Sequence, residues 1–119
     1  MPPDFPPRCN LFVIRASNLD AAEIFYQALG LQFDRHAHGA GPIHLATETP
    51  GQVFEIYPLS SDDSPTTSAR VGFAVADVDA TYTALLEAGG SSVSSPRDSP
   101  WGRRAVVADP DGHRVEITA

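Results

Sequence analysis

Two glutamates, Glu55 and Glu116, stand at matching places in two echoes of one short pattern, residues 50–57 and 111–118. Two carboxylates held close on one enclosed surface resist joint ionisation, so such a pair invites a positive charge. Strand alternation decides their neighbours. If Phe54, Ile56, Val115 and Ile117 turn toward a core, then Val53, Glu55, Tyr57, Arg114, Glu116 and Thr118 face the other way. The same parity buries Phe12, Ile14, Phe73 and Val75 and displays Leu11, Val13, Arg15, Arg70, Gly72 and Ala74. On that open face Arg15 and Arg114 can hold an anionic group or pair with a glutamate. Of His36, His38 and His44, the last is the strongest candidate for a place in the site. Trp101, the only tryptophan, lies in a Pro-Gly loop, where it serves either as a core plug or as a flat wall for a ring-bearing ligand.

The elements that must position these residues come in two copies. Residues 11–21 and 70–80 align without a gap, and each leads through an apolar helical pattern to a glycine, Gly30 or Gly89. Leu11 matches Arg70, 59 residues on, and Glu55 matches Glu116, 61 residues on, so the second copy carries two extra loop residues. The first copy reads as a strand over 10–16, then a helix from Leu19 to Leu29 capped by Asn18 or Ser17. Strands over 32–36, 43–48 and 52–57 follow. The second reads as a strand over 70–75, a helix over 78–88 capped by Asp77, and a short strand over 91–94. A hairpin then pairs 103–108 with 114–118 around Asp109-Pro110-Asp111-Gly112. This predicts an α+β fold: two βαβββ modules forming a pseudo-twofold, cleft-bearing curved sheet with helices on its outer face, and a site at the seam. The expected organisation is one domain over 1–119. It holds a proline-rich arm at 1–9, a first module at 10–59, a polar linker at 60–67 and a second module at 68–119.

Composition narrows the function. A chain of 119 residues can bury most of its apolar surface without disulfide or metal support. The net charge of −7 argues against a nucleic-acid partner and agrees with a cationic small molecule. No window approaches the roughly 18 apolar residues of a membrane span. One cysteine, Cys9, and an N-terminus without a charged or apolar leader pattern make the cytoplasm the expected location. Phosphate-binding glycine loops and the Gly-x-Ser-x-Gly elbow are absent, and Cys9 has no evident histidine base, so nucleophilic catalysis has little support.

The double module, the helix end Ile24-Phe25-Tyr26 to Leu29-Gly30-Leu31, and Pro100-Trp101-Gly102-Arg103-Arg104 leading to Asp109-Pro110-Asp111-Gly112-His113-Arg114-Val115-Glu116 resemble the vicinal oxygen chelate superfamily. That group includes glyoxalase I, bleomycin resistance proteins, fosfomycin-modifying enzymes and extradiol dioxygenases. The resemblance implies four metal-ligand positions, two on opening strands and two on closing strands. Glu55 and Glu116 match the closing pair, whereas Leu11 and Arg70 occupy the opening pair. Leucine offers no lone pair and arginine stays protonated, so neither binds a metal, and Arg70 becomes the stand-in for the metal's charge. The reading that follows is a metal-free protein without cofactor, sequestering an organic and cationic aromatic ligand. Glu55, Glu116 and Arg70 form its floor, Leu11, Val13 and Tyr57 its walls, and Trp101 its lid, with Arg15, His44 and Arg114 nearby. The alternative is an enzyme. It would be a metal-dependent lyase, isomerase or dioxygenase that borrows ligands such as His44, or an acid–base enzyme using Glu55 or Glu116. The resemblance also implies a homodimer, formed by pairing open sheets or by exchanging modules.

Overall fold

The computed structural model describes residues 6–37 and 39–119, so the expectations for His38 and for the start of the proline-rich arm lie outside the described residues. Residues 6–10 are exposed and carry no regular structure. The first module comprises β1 (Leu11–Ala16), α1 (Leu19–Ala28), β2 (Asp34–His36), β3 (His44–Thr49) and β4 (Gln52–Pro58). The second comprises β5 (Arg70–Ala74), α2 (Val78–Glu87), β6 (Ser91–Ser99), β7 (Gly102–Ala108) and β8 (Arg114–Thr118). Each module forms a four-stranded mixed sheet, in the orders β1-β4-β3-β2 and β5-β8-β7-β6, with a parallel pair at β1/β4 and at β5/β8.

The repeat is preserved to the residue. Leu11 pairs with Val53 and Val13 with Glu55, while in the second sheet Arg70 pairs with Arg114 and Gly72 with Glu116. Both helices start by the same device: the side chain of Asn18 accepts the Ala21 N–H and that of Asp77 the Ala80 N–H, each at 3.0 Å. Both stop at a glycine in the left-handed region, Gly30 at φ 113° and Gly89 at φ 103°. Ser17 does not cap; its N–H reaches the Asp111 carboxylate of the other module at 3.2 Å.

The inward faces merge into one core. Ile14, Leu45, Phe54 and Ile56 of the first sheet and Ala105, Val107, Val115 and Ile117 of the second join Phe25, Tyr26 and Leu85 of the helices. α1 lies on β3 and β4 and touches α2, which covers β6, β7 and β8. Phe54 and Phe73 meet across the modules with ring centroids 5.8 Å apart. Phe25 packs over Gly90 so closely that a Cβ there would come within 2.6 Å of its ring.

A buried polar chain also ties the modules together. Tyr26 Oη donates to Asp109 Oδ2 at 2.7 Å, and His113 Nδ1 lies 2.8 Å from the same oxygen. Asp109 Oδ1 accepts the N–H groups of Asp111, Gly112 and His113, which holds the β7–β8 turn in shape. Because the carboxylate only accepts, the proton of His113 sits on Nδ1. Its Nε2 then accepts from the Thr66 hydroxyl at 2.7 Å, and that hydroxyl oxygen accepts the Arg15 N–H at 2.9 Å. Burial opposes ionisation of Asp109, but the His113 and Tyr26 hydrogen bonds outweigh it and leave the carboxyl below its ordinary value. Burial, followed by the Asp109 charge, pushes the Tyr26 phenol up. Residues 60–67 are therefore more than a spacer.

Two elements depart from the expected boundaries, and the smaller departure is β2, which starts at Asp34 instead of residue 32. β6 runs to Ser99 instead of ending near residue 94, with register shifts between Ser92 and Ser94 and between Ser94 and Arg97. Pro96, which cannot donate to a ladder, sits in the second irregularity. The longer strand makes β6–β7 a hairpin whose tip is Pro100-Trp101.

Candidate functional site

Alternation places the expected residues on the open faces of the two sheets, since Phe54, Ile56, Val115 and Ile117 are all buried beneath the helices. On the first sheet the centre is His44, only 1% exposed. Its ring stacks on Tyr57 with centroids 4.2 Å apart and planes 7° apart, and its Nε2 lies 3.3 Å from Glu55 Oε2. Glu55 thus has a histidine, not an arginine, as its neighbour. Arg15 lies over the other part of this cluster, 5.8 Å from the Tyr57 centroid, but its charge is taken by Asp63 Oδ2 at 3.2 Å. The Ser60 hydroxyl and N–H hold the Asp63 carboxyl below its ordinary range and fix it for that role. Leu11 and Val13 stand beside the cluster as exposed apolar side chains.

The second sheet is built differently. Glu116 Oε1 accepts from Nε of Arg104 at 2.9 Å and also from its Nη2, while Arg70 Nη1 stands farther off at 3.7 Å. Arg70 thus pairs with Glu116 as expected but not with Glu55, and it is a second, mostly exposed cation beside the nearer Arg104. The alternation read from sequence covers β1, β4, β5 and β8, and β7 lies outside it. Val106 pairs with Glu116, which puts Arg104, two residues earlier, on the open face as well. The sequence signal for Arg104 was thus the same alternation that exposed Glu116.

Beside Glu116 the extended hairpin encloses a groove of about 620 Å³, lined by Arg97, Asp98, Ser99, Pro100, Trp101, Arg104 and Glu116. Trp101 is 81% exposed, so the core-plug alternative is excluded and its indole is available as a wall of the groove. Arg114 shares this face, paired in register with Arg70. The groove's lining sets two arginines, Arg97 and Arg104, against two carboxylates, Asp98 and Glu116, so its charge is balanced although the chain as a whole is acidic.

The two glutamates keep separate company, Glu55 with His44 and Glu116 with Arg104, and the groove by Trp101 includes Glu116 but not Glu55. Among the described residues no three His, Cys, Asp or Glu side chains are grouped to hold a metal. The donor chemistry agrees. Leu11 and Arg70 supply no ligand at the opening-strand positions, and the Glu116 oxygen a metal would need is engaged by a guanidinium. The residues present do not fit the divalent ion used elsewhere in this fold.

Comparison with known proteins agrees with this architecture. The chain is 34% identical over 109 residues to an uncharacterized protein of Mycolicibacterium smegmatis, covering 87% of this chain and 85% of that one. It superposes on TnmS3, an antibiotic binding protein from Streptomyces sp. CB03234, with a TM-score of 0.71 and 26% identity over 95% of each chain. A glyoxalase/bleomycin resistance protein from the same organism gives a TM-score of 0.67 at 28% identity, covering 94% of this chain and 100% of that one. The model of the Glyoxalase/Bleomycin resistance protein/Dioxygenase superfamily matches residues 8–117, and the chain belongs to that superfamily.

Proposed function

We propose that this protein binds a ring-bearing organic molecule without metal and sequesters it, as bleomycin resistance proteins do. The observation that carries the reading is the Arg104–Glu116 pair: the closing-strand carboxylate that would ligate a metal is already neutralised by an arginine. The similarity to an antibiotic binding protein supports a small-molecule ligand, and the exposed Trp101 supports a ligand with a planar part. Leu11 and Val13, exposed beside Tyr57, supply apolar contact area, which the homodimer expected for this family would help to enclose. A metal-dependent lyase, isomerase or dioxygenase would need ligands that Leu11 and Arg70 do not offer.

The test is metal analysis combined with binding. Protein incubated with Zn²⁺, Ni²⁺ or Mn²⁺ and desalted is expected to retain no stoichiometric metal, and aromatic ligands that quench Trp101 are expected to bind equally with and without chelator. One metal per chain, lost together with ligand binding on chelation, would overturn the reading. A second reading rests on the His44–Glu55 contact, 3.3 Å between Nε2 and Oε2, which has the form of an acid–base pair. That reading requires chemical turnover of a bound ligand that Glu55→Gln abolishes while binding persists.

A further inference from the structure

The basic residues of this chain are all arginine, eight in number, and half of them stand on one sheet face. Each strand of the second sheet contributes one: Arg70 from β5, Arg97 from β6, Arg104 from β7 and Arg114 from β8. The register sets them opposite one another, Arg97 across from Arg104 and Arg70 across from Arg114. Like charges directly opposite in a sheet are destabilising, so this arrangement costs stability in the absence of a counter-charge. Glu116 supplies one, and it is engaged by Arg104 and approached by Arg70. Asp98, at the rim, is turned toward Arg103 at 3.3 Å. Arg97 and Arg114 have no ion-pair partner among the described residues.

We propose that the groove between β6, β7 and the Trp101 hairpin takes a planar organic anion: an aromatic ring system bearing a carboxylate or a comparable acidic group. The proposal rests on the small-molecule reading above and specifies its ligand. A guanidinium is weakly hydrated and presents a planar fork that matches a carboxylate, which suits anion capture better than lysine ammonium groups would. Trp101 supplies the flat surface for the ring, 81% exposed at the hairpin tip and lining the same groove as Arg97 and Arg104. The volume of about 620 Å³ suits a molecule of two or more fused rings. Arg104 is committed to Glu116 and Asp98 is turned toward Arg103, so within the groove the anion falls to Arg97, while Arg70 and Arg114 add positive charge farther along the same face. Because the groove is open to water, its attraction for anions must weaken with salt.

The test compares two probes with the same ring and opposite charge, 2-naphthoate and 2-naphthylmethylammonium, titrated calorimetrically into the full chain. The acid is expected to bind saturably and about tenfold more tightly than the amine at low salt, with the ratio shrinking as salt rises. Arg97→Gln, at an exposed position lining the groove, is expected to weaken naphthoate about three- to tenfold without weakening the amine. Trp101→Ala is expected to weaken both probes. Equal or tighter binding of the amine overturns the anion assignment but leaves the small-molecule reading intact. Naphthoate binding that ignores Arg97→Gln also overturns the assignment. If neither probe binds, the anion assignment falls, and the small-molecule reading is decided by its own test with metal and chelator.

Discussion

Asp109→Asn tests the polar chain that locks the two modules together. Asp109 is 5% exposed and accepts five hydrogen bonds, three from the turn N–H groups, one from Tyr26 Oη and one from His113 Nδ1. Asparagine keeps an oxygen for the turn but presents its NH₂ to two groups that also donate. Exchanging a charged acceptor for a neutral one costs about 1 kcal/mol per bond, and a buried donor left facing a donor adds about 1–3 kcal/mol. The expected loss is about 2–4 kcal/mol, read as a lower urea midpoint with unchanged slope, or as a fall in Tm on the order of 6–20 °C for a chain of this size. The pH dependence gives an independent check. The native Asp109 carboxyl lies below its ordinary value, so its contribution is complete above the unfolded-state pKa of about 4 and is lost as pH falls through the lower native value. The gap between wild type and Asp109→Asn should therefore be widest near neutrality and narrow below about pH 4. A variant within about 0.5 kcal/mol of wild type, or a gap that does not change with acid, would refute the assignment of Asp109 as the charged centre of the chain.

Three further outcomes follow from other contacts. Gly90→Ala sets a Cβ 2.6 Å from Phe25 and 2.7 Å from Val107, so it should cost about 1–3 kcal/mol in urea unfolding, and a neutral result would contradict the cross-module packing. Thr66→Val removes the hydroxyl between His113 Nε2 and the Arg15 N–H, and should lower stability by about 1–3 kcal/mol and speed hydrogen exchange at the Arg15 amide. Glu116→Gln releases Arg104 and Arg70, so 2-naphthoate should bind about three- to tenfold more tightly, and weaker binding would contradict competition between Glu116 and the ligand.

The fold was legible because its local signals agree with one another. Strand alternation, a side-chain helix cap and a terminal glycine each appear twice, once per module, and duplication lets one copy check the other. β6 was shortened because Pro96 and its run of serines carry no alternating pattern; pairing with β7, not local preference, makes it a strand. The site was legible only in part. Parity placed Glu55, Glu116, Tyr57, Arg70 and Arg114 on the open faces, but it cannot say which neighbour each one meets. The Glu116–Arg104 pair depends on the register of a hairpin, and the Arg15–Asp63 pair depends on a turn within residues 60–67 that looks like a spacer. A sum of charge over the chain does not reveal that half its cations lie on one face.

The repeat explains how one frame came to carry two chemistries. In both modules a glutamate occupies the same register, opposite Val13 in the first and Gly72 in the second, so the backbone treats Glu55 and Glu116 alike. What differs is the residue that reaches each from the adjacent strand. In the first module His44, buried under Tyr57, meets Glu55; in the second Arg104 meets Glu116 and leaves three more arginines around it. A metal between the frames would have required free donor atoms from both, and the Glu116 oxygen is engaged by Arg104. Once a guanidinium supplies the positive charge to one of them, the two carboxylates no longer need a common partner, and each sheet face is free to take on its own ligand contacts. The first face carries the His44–Tyr57 stack and the second the Trp101 groove with its arginines and carboxylates, so the two modules offer different contacts from one backbone frame.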